Sequence, residues 1–296
     1  MLYSNHAINS DYSKLTNKQL QVLWSETINK SIRSRYLLSQ SVKVIKGEKL
    51  GYLTGVLYMS NATKIGGINT CSHAKLAGCI EPCLAMSGHM AGKSAIEARL
   101  DRLQLLIKNP ALFFEILSRE IKVLYARALR KGYRAVVRLN GTTDLDWTKI
   151  TFDQRTIFNH HALIRFYDYT KNPTIARSYR NHGIHTTFSW YNKAPIADLH
   201  GLLDRGVNIA IAYRDKVPST QVIGDRMVRV INGDEHDLRF LDDQGVVVGL
   251  KYKNHAMHDR ARIVNAIAHK SGFLLFAGNA IKEERQIVNG QFVGEL

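Results

Sequence analysis

Three cysteines, Cys71, Cys79 and Cys83, lie within thirteen residues of a chain that has no others. Thiolates are soft ligands suited to zinc or iron–sulfur centres, so so tight a group reads as a metal loop rather than as three unrelated buried thiols. Zinc asks for a fourth ligand; His73 is the nearest candidate and His89 the next. A [4Fe-4S] cluster on three cysteines would leave one iron open to a substrate or cofactor.

Carboxylates form the second chemical signal, because they recur just after apolar runs. Leu139 leads into Asn140-Gly-Thr-Thr-Asp144, Phe166 into Tyr167-Asp168-Tyr-Thr-Lys171, and Ile231 into Asn232-Gly-Asp234-Glu-His236-Asp237-Leu-Arg239; Leu250 is followed by Lys251. Any one such acid serves well as a helix cap or turn residue. Several with the same habit, ringed by cations that keep them ionised, suit proton transfer, nucleophilic attack or metal binding. Asp144, Asp168, Asp234 and Asp237 are therefore the candidate catalytic acids. Arg138, Asn140, Lys171, Arg239 and Lys251 are the candidate substrate or phosphate binders. His160, His161, His255 and His258 read as surface or capping residues.

The whole chain is strongly basic: 41 Lys+Arg against 25 Asp+Glu give its 296 residues a formal net charge of +16. Such a field attracts polyanions, and the expected partner is nucleic acid, DNA favoured over RNA. The excess is spread over Lys30, Arg33 and Arg35, over Lys43, Lys46 and Lys49, over Arg127, Arg130, Lys131 and Arg134, and over Lys251, Lys253, Arg260 and Arg262. A broad face that grips phosphates and loses affinity in salt is the expectation, with Tyr36, Tyr133, Tyr179 and Tyr252 available to stack on bases. A hydrophobic content of 45% excludes bulk disorder. No apolar run approaches the roughly 18 residues of a membrane span, so no membrane partner is expected. Close-set cysteines and a polar first twenty residues point away from a secreted disulfide scaffold and toward the cytoplasm.

Positioning these groups requires strands whose ends meet. Residues 1–48 read as a basic N-terminal arm, partly helical, with Thr16 and Gln19 at capping-box spacing. Residues 49–296 read as one (β/α) barrel, closed or partly closed, carrying the Cys-rich metal loop at 66–92; an open doubly wound sheet is the alternative. Apolar runs at Gly55–Ser60, Ala135–Leu139, Ala162–Tyr167, His185–Trp190, Val207–Tyr213, Val228–Ile231 and Val246–Leu250 are separated mostly by helix-length connections, the pattern of parallel βα units. Two helices precede the second run, one with Ile96, Leu100, Leu103 and Ile107 on its apolar face, the next opened by Asn109-Pro110. In a TIM barrel the site is built at the strand C-termini, which would gather Asp144, Asp168, Asp234, Asp237, Lys171 and Arg239 around one mouth.

The strings Gly55-Val-Leu-Tyr-Met-Ser60-Asn-Ala, the Cys71/Cys79/Cys83 loop, Arg138-Leu-Asn140-Gly-Thr-Thr-Asp144, Tyr167-Asp-Tyr-Thr-Lys171, Asn232-Gly-Asp234 and Asp237-Leu-Arg239-Phe240 together resemble the mainly bacteriophage-encoded family of gene product 88-like proteins, over roughly residues 50–265. That resemblance implies a phage origin and work in the host cell cytoplasm. In outline the chain is also similar to the tRNA-guanine and DNA 7-deazaguanine transglycosylases. From them would follow base exchange by a transferase, with Asp168 or Asp234 as nucleophile, Asp144 at the base and Lys171 and Arg239 on phosphate. The place of the cysteine loop, after the first barrel strand, resembles that of radical S-adenosylmethionine barrels, although its spacing is C-x7-C-x3-C and theirs C-x3-C-x2-C. Three functions are thus expected in turn: a nucleic-acid-modifying enzyme, an iron–sulfur enzyme using S-adenosylmethionine, and a non-catalytic DNA-binding protein whose metal only folds the loop.

Overall fold

The computed structural model describes residues 12–40, 45–66, 68–80, 83, 88–252, 270, 274–282, 286–288 and 291–293. Lys43, Lys253, His255, His258, Arg260 and Arg262 lie outside the described residues.

Helix α1 (Asn17–Ile28) opens with the capping box: Gln19 N–H donates to Thr16 Oγ1, and the Gln19 side chain accepts from Thr16 N–H. It ends at Asn29, in the left-handed region at φ 56°. Strand β1 (Leu38–Ser39) runs antiparallel beside β2 (Tyr52–Leu57). A hairpin of β3 (Lys64–Ile65) and β4 (Ile68–Asn69) then leads through the cysteine segment into α2 (Lys93–Lys108), α3 (Pro110–Arg130) and β5 (Arg134–Arg138). The hairpin β6 (Thr151–Phe152) and β7 (Arg155–Thr156) and the one-turn α4 (Ile157–His160) follow. Alternation then becomes regular: β8 (Arg165–Thr170), α5 (Pro173–Asn181), β9 (His185–Ser189), α6 (Ile196–Asp204) and β10 (Asn208–Tyr213). After these come β11 (Thr220–Ile223), β12 (Arg226–Asn232), β13 (Val247–Lys251), β14 (Leu274–Leu275), β15 (Gln286–Val288) and β16 (Gln291–Val293).

The protein is mixed α/β, built on one large, mostly parallel sheet in the order β1-β2-β5-β8-β9-β10-β13-β12-β11, with β14 added beside β10. Strands β2, β5, β8, β9 and β10 are parallel neighbours in chain order. Stepping always the same way with crossovers of one hand stacks the helices on one face. Side-chain alternation records it. Leu53, Leu57, Val137 and Phe166 share a buried cluster with Trp24, Leu117 and Ile121 of the helices, and Phe188, Ile209 and Ile211 share another with Leu199 and Leu202 of α6. The alternate residues Tyr52, Val136 and Tyr167 face Leu238 and Phe240, from the 233–246 segment between β12 and β13. Among the described residues the sheet ends at β1 on one side and β11 on the other, so no closed barrel forms.

Two sequence expectations change. The third strand runs Arg165–Thr170, not Ala162–Tyr167, because Tyr167, Asp168, Tyr169 and Thr170 continue the ladder with β9 instead of leaving it as a loop. On α2 the buried face carries Arg99, Asp101, Arg102, Leu103, Leu105 and Leu106, whereas Ile96 is exposed. The reason is polar: Arg102 donates to Tyr36 O (3.0 Å), Tyr58 O (3.2 Å) and Ser34 Oγ (2.9 Å), while Asp101 pairs with Lys30 (2.6 Å) and accepts from Arg33 N–H (3.0 Å). Helix α2 thereby ties residues 30–36 to the sheet, and Leu20, Trp24 and Ile28 of α1 join the same core.

Candidate functional site at the strand C-termini

The cysteine segment leaves β2 through a hairpin closed by Thr63 N–H to Thr70 Oγ1 (2.8 Å) and Thr70 N–H to Thr63 O (3.0 Å). That turn lays Cys71 against the loop after β5: Asp144 N–H donates to Thr70 O (2.7 Å), and Cys71 and Asp144 form a parallel β-bridge. A coil follows, in which Ala77 N–H bonds His73 O (2.8 Å) and Cys79 N–H bonds Ala74 O (3.1 Å), turning Cys79 back toward Cys71.

All three cysteines are outside any disulfide and half-buried. Cys71 Sγ accepts from Ala62 N–H (3.4 Å), and Cys79 Sγ donates to Ala74 O (3.7 Å). Burial pushes the Cys71 thiol up to about 12, and Asp144, Cys83 and Cys79 each push it further the same way. Cys79 and Cys83 in turn favour the charged form of Lys171, and Cys83 that of Arg99. The thiols therefore share one electrostatic neighbourhood with Asp144, Lys171 and Arg99. Among the described residues no three His, Cys, Asp or Glu side chains already stand at ligating distance. His73 Nδ1 lies 3.0 Å from Ser72 Oγ, its ring 6.4 Å from that of Tyr191; the His89 side chain is outside the described residues.

Lys171 and Asp144 face each other across the ends of β8 and β5. Lys171 N–H donates to Asp144 Oδ2 (3.0 Å), while its ammonium donates to Ser189 Oγ (3.0 Å), Trp190 O (3.1 Å) and Ser189 O (3.3 Å) and lies 5.9 Å from the Tyr191 ring centroid. Burial lowers the ammonium below the usual lysine range. Burial also raises the Asp144 carboxyl to about 6 against the hydrogen bonds of Thr170 and Lys171.

Just inside this rim is a second network. Asp168, only 2% exposed, accepts from Asn140 N–H (2.8 Å) and Tyr169 N–H (3.1 Å), and Arg138 Nε stands 3.6 Å away. Burial raises its carboxyl to about 7, with Arg138 opposing. Arg138 Nη1 donates to Asp237 Oδ2 (3.1 Å), its guanidinium covers the Tyr169 ring (4.6 Å), and Tyr169 OH donates to Asp237 Oδ1 (3.4 Å). Burial works against the Arg138 charge, but Asp237 and Asp168 together hold it firmly protonated.

The structure thus divides the expected mouth. Asp144 and Lys171 join the thiols at the rim; Arg138, Asp168 and Asp237 form the inner network. Asn140 is a structural knot: its amide oxygen accepts from Thr143 Oγ1, Leu145 N–H and Trp147 Nε1, and its NH2 donates to Leu145 O. Arg239 is fully buried and fastened to His236 O and Asp242 of its own segment, facing no solvent where a phosphate could approach. Asp234 accepts from Lys251 N–H (2.9 Å) at the ends of β12 and β13, beyond β10 from the thiol rim, and the Lys251 side chain is exposed. Sequence reasoning missed Arg99, 3% exposed and donating to Met90 O (2.8 Å). Its signal was the Arg99–Arg102 pair at i, i+3 on a helix otherwise read as apolar there.

Fold and rim together define a mixed α/β protein whose polar and thiol-bearing groups collect at the C-terminal edge of a mostly parallel sheet. Residues 33–267 match the family described as Gene product 88, and the chain belongs to that family. The match begins at residue 33, within the stretch expected to be a separate arm. No curated protein and no solved structure matches the chain. No described helix is long and apolar enough to cross a membrane.

Proposed function

We propose that this phage-family protein is an iron–sulfur enzyme acting on nucleic acid, with Cys71, Cys79 and Cys83 as the cluster ligands of a partly closed (β/α) barrel. The observation that carries the reading is the meeting of the thiols, within mutual electrostatic reach, with Asp144 and Lys171 at the strand C-termini. The donor set suits the group: three soft, half-buried thiols, that of Cys71 held back from ionising by burial, gain most from a polycationic centre. When bound, such a cluster supplies one-electron chemistry and one open iron for a cosubstrate of the S-adenosylmethionine class.

The chain's own residues then have separate tasks. The Lys171 ammonium, held by Ser189 and Trp190, offers a fixed cation to a carboxylate or phosphate in the cleft. Asp144, with its carboxyl raised to about 6, holds or releases a proton near neutral pH. Arg138, Asp168 and Asp237 keep the floor of the rim rigid. A net charge of +16 supports a nucleic-acid substrate. Base exchange by an aspartate nucleophile finds less support, because Asp168 spends both oxygens on backbone N–H groups inside the core and Asp234 lies at the β12–β13 end of the sheet, beyond β10 from Asp144 and Lys171.

The test is anaerobic reconstitution with iron and sulfide. We expect about four iron and four sulfide per chain with visible absorption, lost in Cys71→Ala, Cys79→Ala and Cys83→Ala alike, and a cluster electron-spin signal altered by S-adenosylmethionine. Colourless protein that takes up one zinc and no iron would overturn the reading and leave the loop as a folding site.

A further inference from the structure

A cavity of about 670 Å³ opens at the other end of the sheet, where β8 and β9 begin. Arg165 opens β8 and His185 opens β9; Arg180 closes the last turn of α5 and His182 follows it; Phe240 and Gln244 come from the 233–246 segment. Six residues of β8 separate this end from Lys171, about 17–20 Å at the rise of a strand. No carboxylate lines the cavity among the described residues. Neither Arg165 nor Arg180 has a carboxylate partner there: Arg165 lies over the Phe240 ring (5.1 Å), and Arg180 donates to the neutral Gln244 side chain (3.2 Å).

His185 sharpens the picture. Its Nε2 is buried with no hydrogen-bond partner, its ring edge-on to Phe240 (6.4 Å). Burial lowers it to about 4, and Arg180, Arg165 and Arg239 all press the same way, so the ring is neutral beside the Arg165 and Arg180 guanidinium groups. Buried polar atoms are normally satisfied, and two exposed guanidinium groups with no carboxylate beside them offer a fork suited to a phosphate. A place at the last turn of α5 explains one basic residue by the helix dipole; it does not explain Arg165 or the orphan imidazole nitrogen.

We propose that this cavity binds a phosphate group, held in the fork of Arg165 and Arg180, with an N–H from His185 and the Phe240 ring beside it for the attached base or sugar. The site is distinct from the cysteine rim and does not depend on the iron–sulfur reading. The phosphate has two sources of the same chemistry, a free nucleotide or the backbone of a strand that wraps from the rim to the far side.

The test uses pyrophosphate, ATP and a single-stranded oligodeoxynucleotide as probes on the full chain. Arg165→Gln combined with Arg180→Gln should weaken pyrophosphate binding at least tenfold, while Lys18→Gln combined with Lys122→Gln, an equal loss of exposed charge elsewhere, should change it less than twofold. Oligonucleotide affinity falling in parallel assigns the site to a strand phosphate; ATP affinity falling with oligonucleotide affinity unchanged assigns it to a nucleotide. In unmodified protein, pyrophosphate should also shift the His185 ring nitrogen resonances, a readout independent of how the variants fold. Equal losses in the two double variants, or unmoved His185 resonances at saturating pyrophosphate, would overturn the proposal.

Discussion

Replacing Arg138 by methionine tests whether ions, and not apolar packing, hold the 233–246 segment against the sheet. The guanidinium stands 3.1 Å from Asp237 and 3.6 Å from Asp168, and the two carboxylates are 7 and 3% exposed. Methionine keeps the length of the side chain and leaves both acids buried without a countercharge. Removing one partner of a buried pair costs about 3–5 kcal/mol. In a chain of this size that is a Tm lower by roughly 5–8 °C. The penalty should shrink at low pH, because Asp168, already raised to about 7, takes up a proton and relieves it. Adding Asp237→Asn should recover part of the loss, since the pair is coupled. Urea unfolding at pH 5 and pH 8, with hydrogen exchange followed at Phe240, reads all three. A loss at pH 8 below about 1 kcal/mol, the worth of an exposed pair, with unchanged exchange at Phe240, would refute the reasoning.

Three further outcomes follow from the same geometry. Asp168 has its carboxyl raised in the folded state, so that state binds the extra proton and stability contributed here falls as pH rises from about 4 to about 7; Asp168→Asn should flatten that slope in urea titrations across the range. Trp24→Ala empties a fully buried site in the core that α1 shares with α2 and α3 and should cost about 3–5 kcal/mol in global unfolding. A melt of α1 that leaves the rest of the Tm unchanged would count against that shared core. Gly141→Ala would bring a Cβ within 2.6 Å of Tyr58 Cδ1 and 2.7 Å of Val56 Cγ1, so it should cost about 1–3 kcal/mol, measurable by thermal unfolding.

What could be read in the sequence was what local chemistry controls. The Thr16–Gln19 box, the Asn109-Pro110 start of α3 and five of the parallel strands obey short-range rules, and the structure has them within a few residues. Strand β8 was misplaced because Asp168 and Thr170 look like loop residues until Asn140 N–H and the β9 ladder are there to receive them. The buried Asp101 and Arg102 of α2 were invisible for a related reason: their partners, Lys30, Ser34 and Tyr58, lie more than 40 residues away. At the site, the meeting of Cys71 with Asp144 follows from strand order, which periodicity suggested. The inward turn of Asp237 and Arg239 does not, because it depends on where a long connection crosses the sheet.

That crossing gives the molecule an adaptable side. Among the described residues, one face of the sheet is covered by stacked helices and the other, at Tyr52, Val136 and Tyr167, by the excursion carrying Leu238 and Phe240. Asp237, bound to Arg138 and Tyr169, pins that stretch at one point, so changes in Leu238 and Phe240 would reshape the face they cover while the anchor stayed in place.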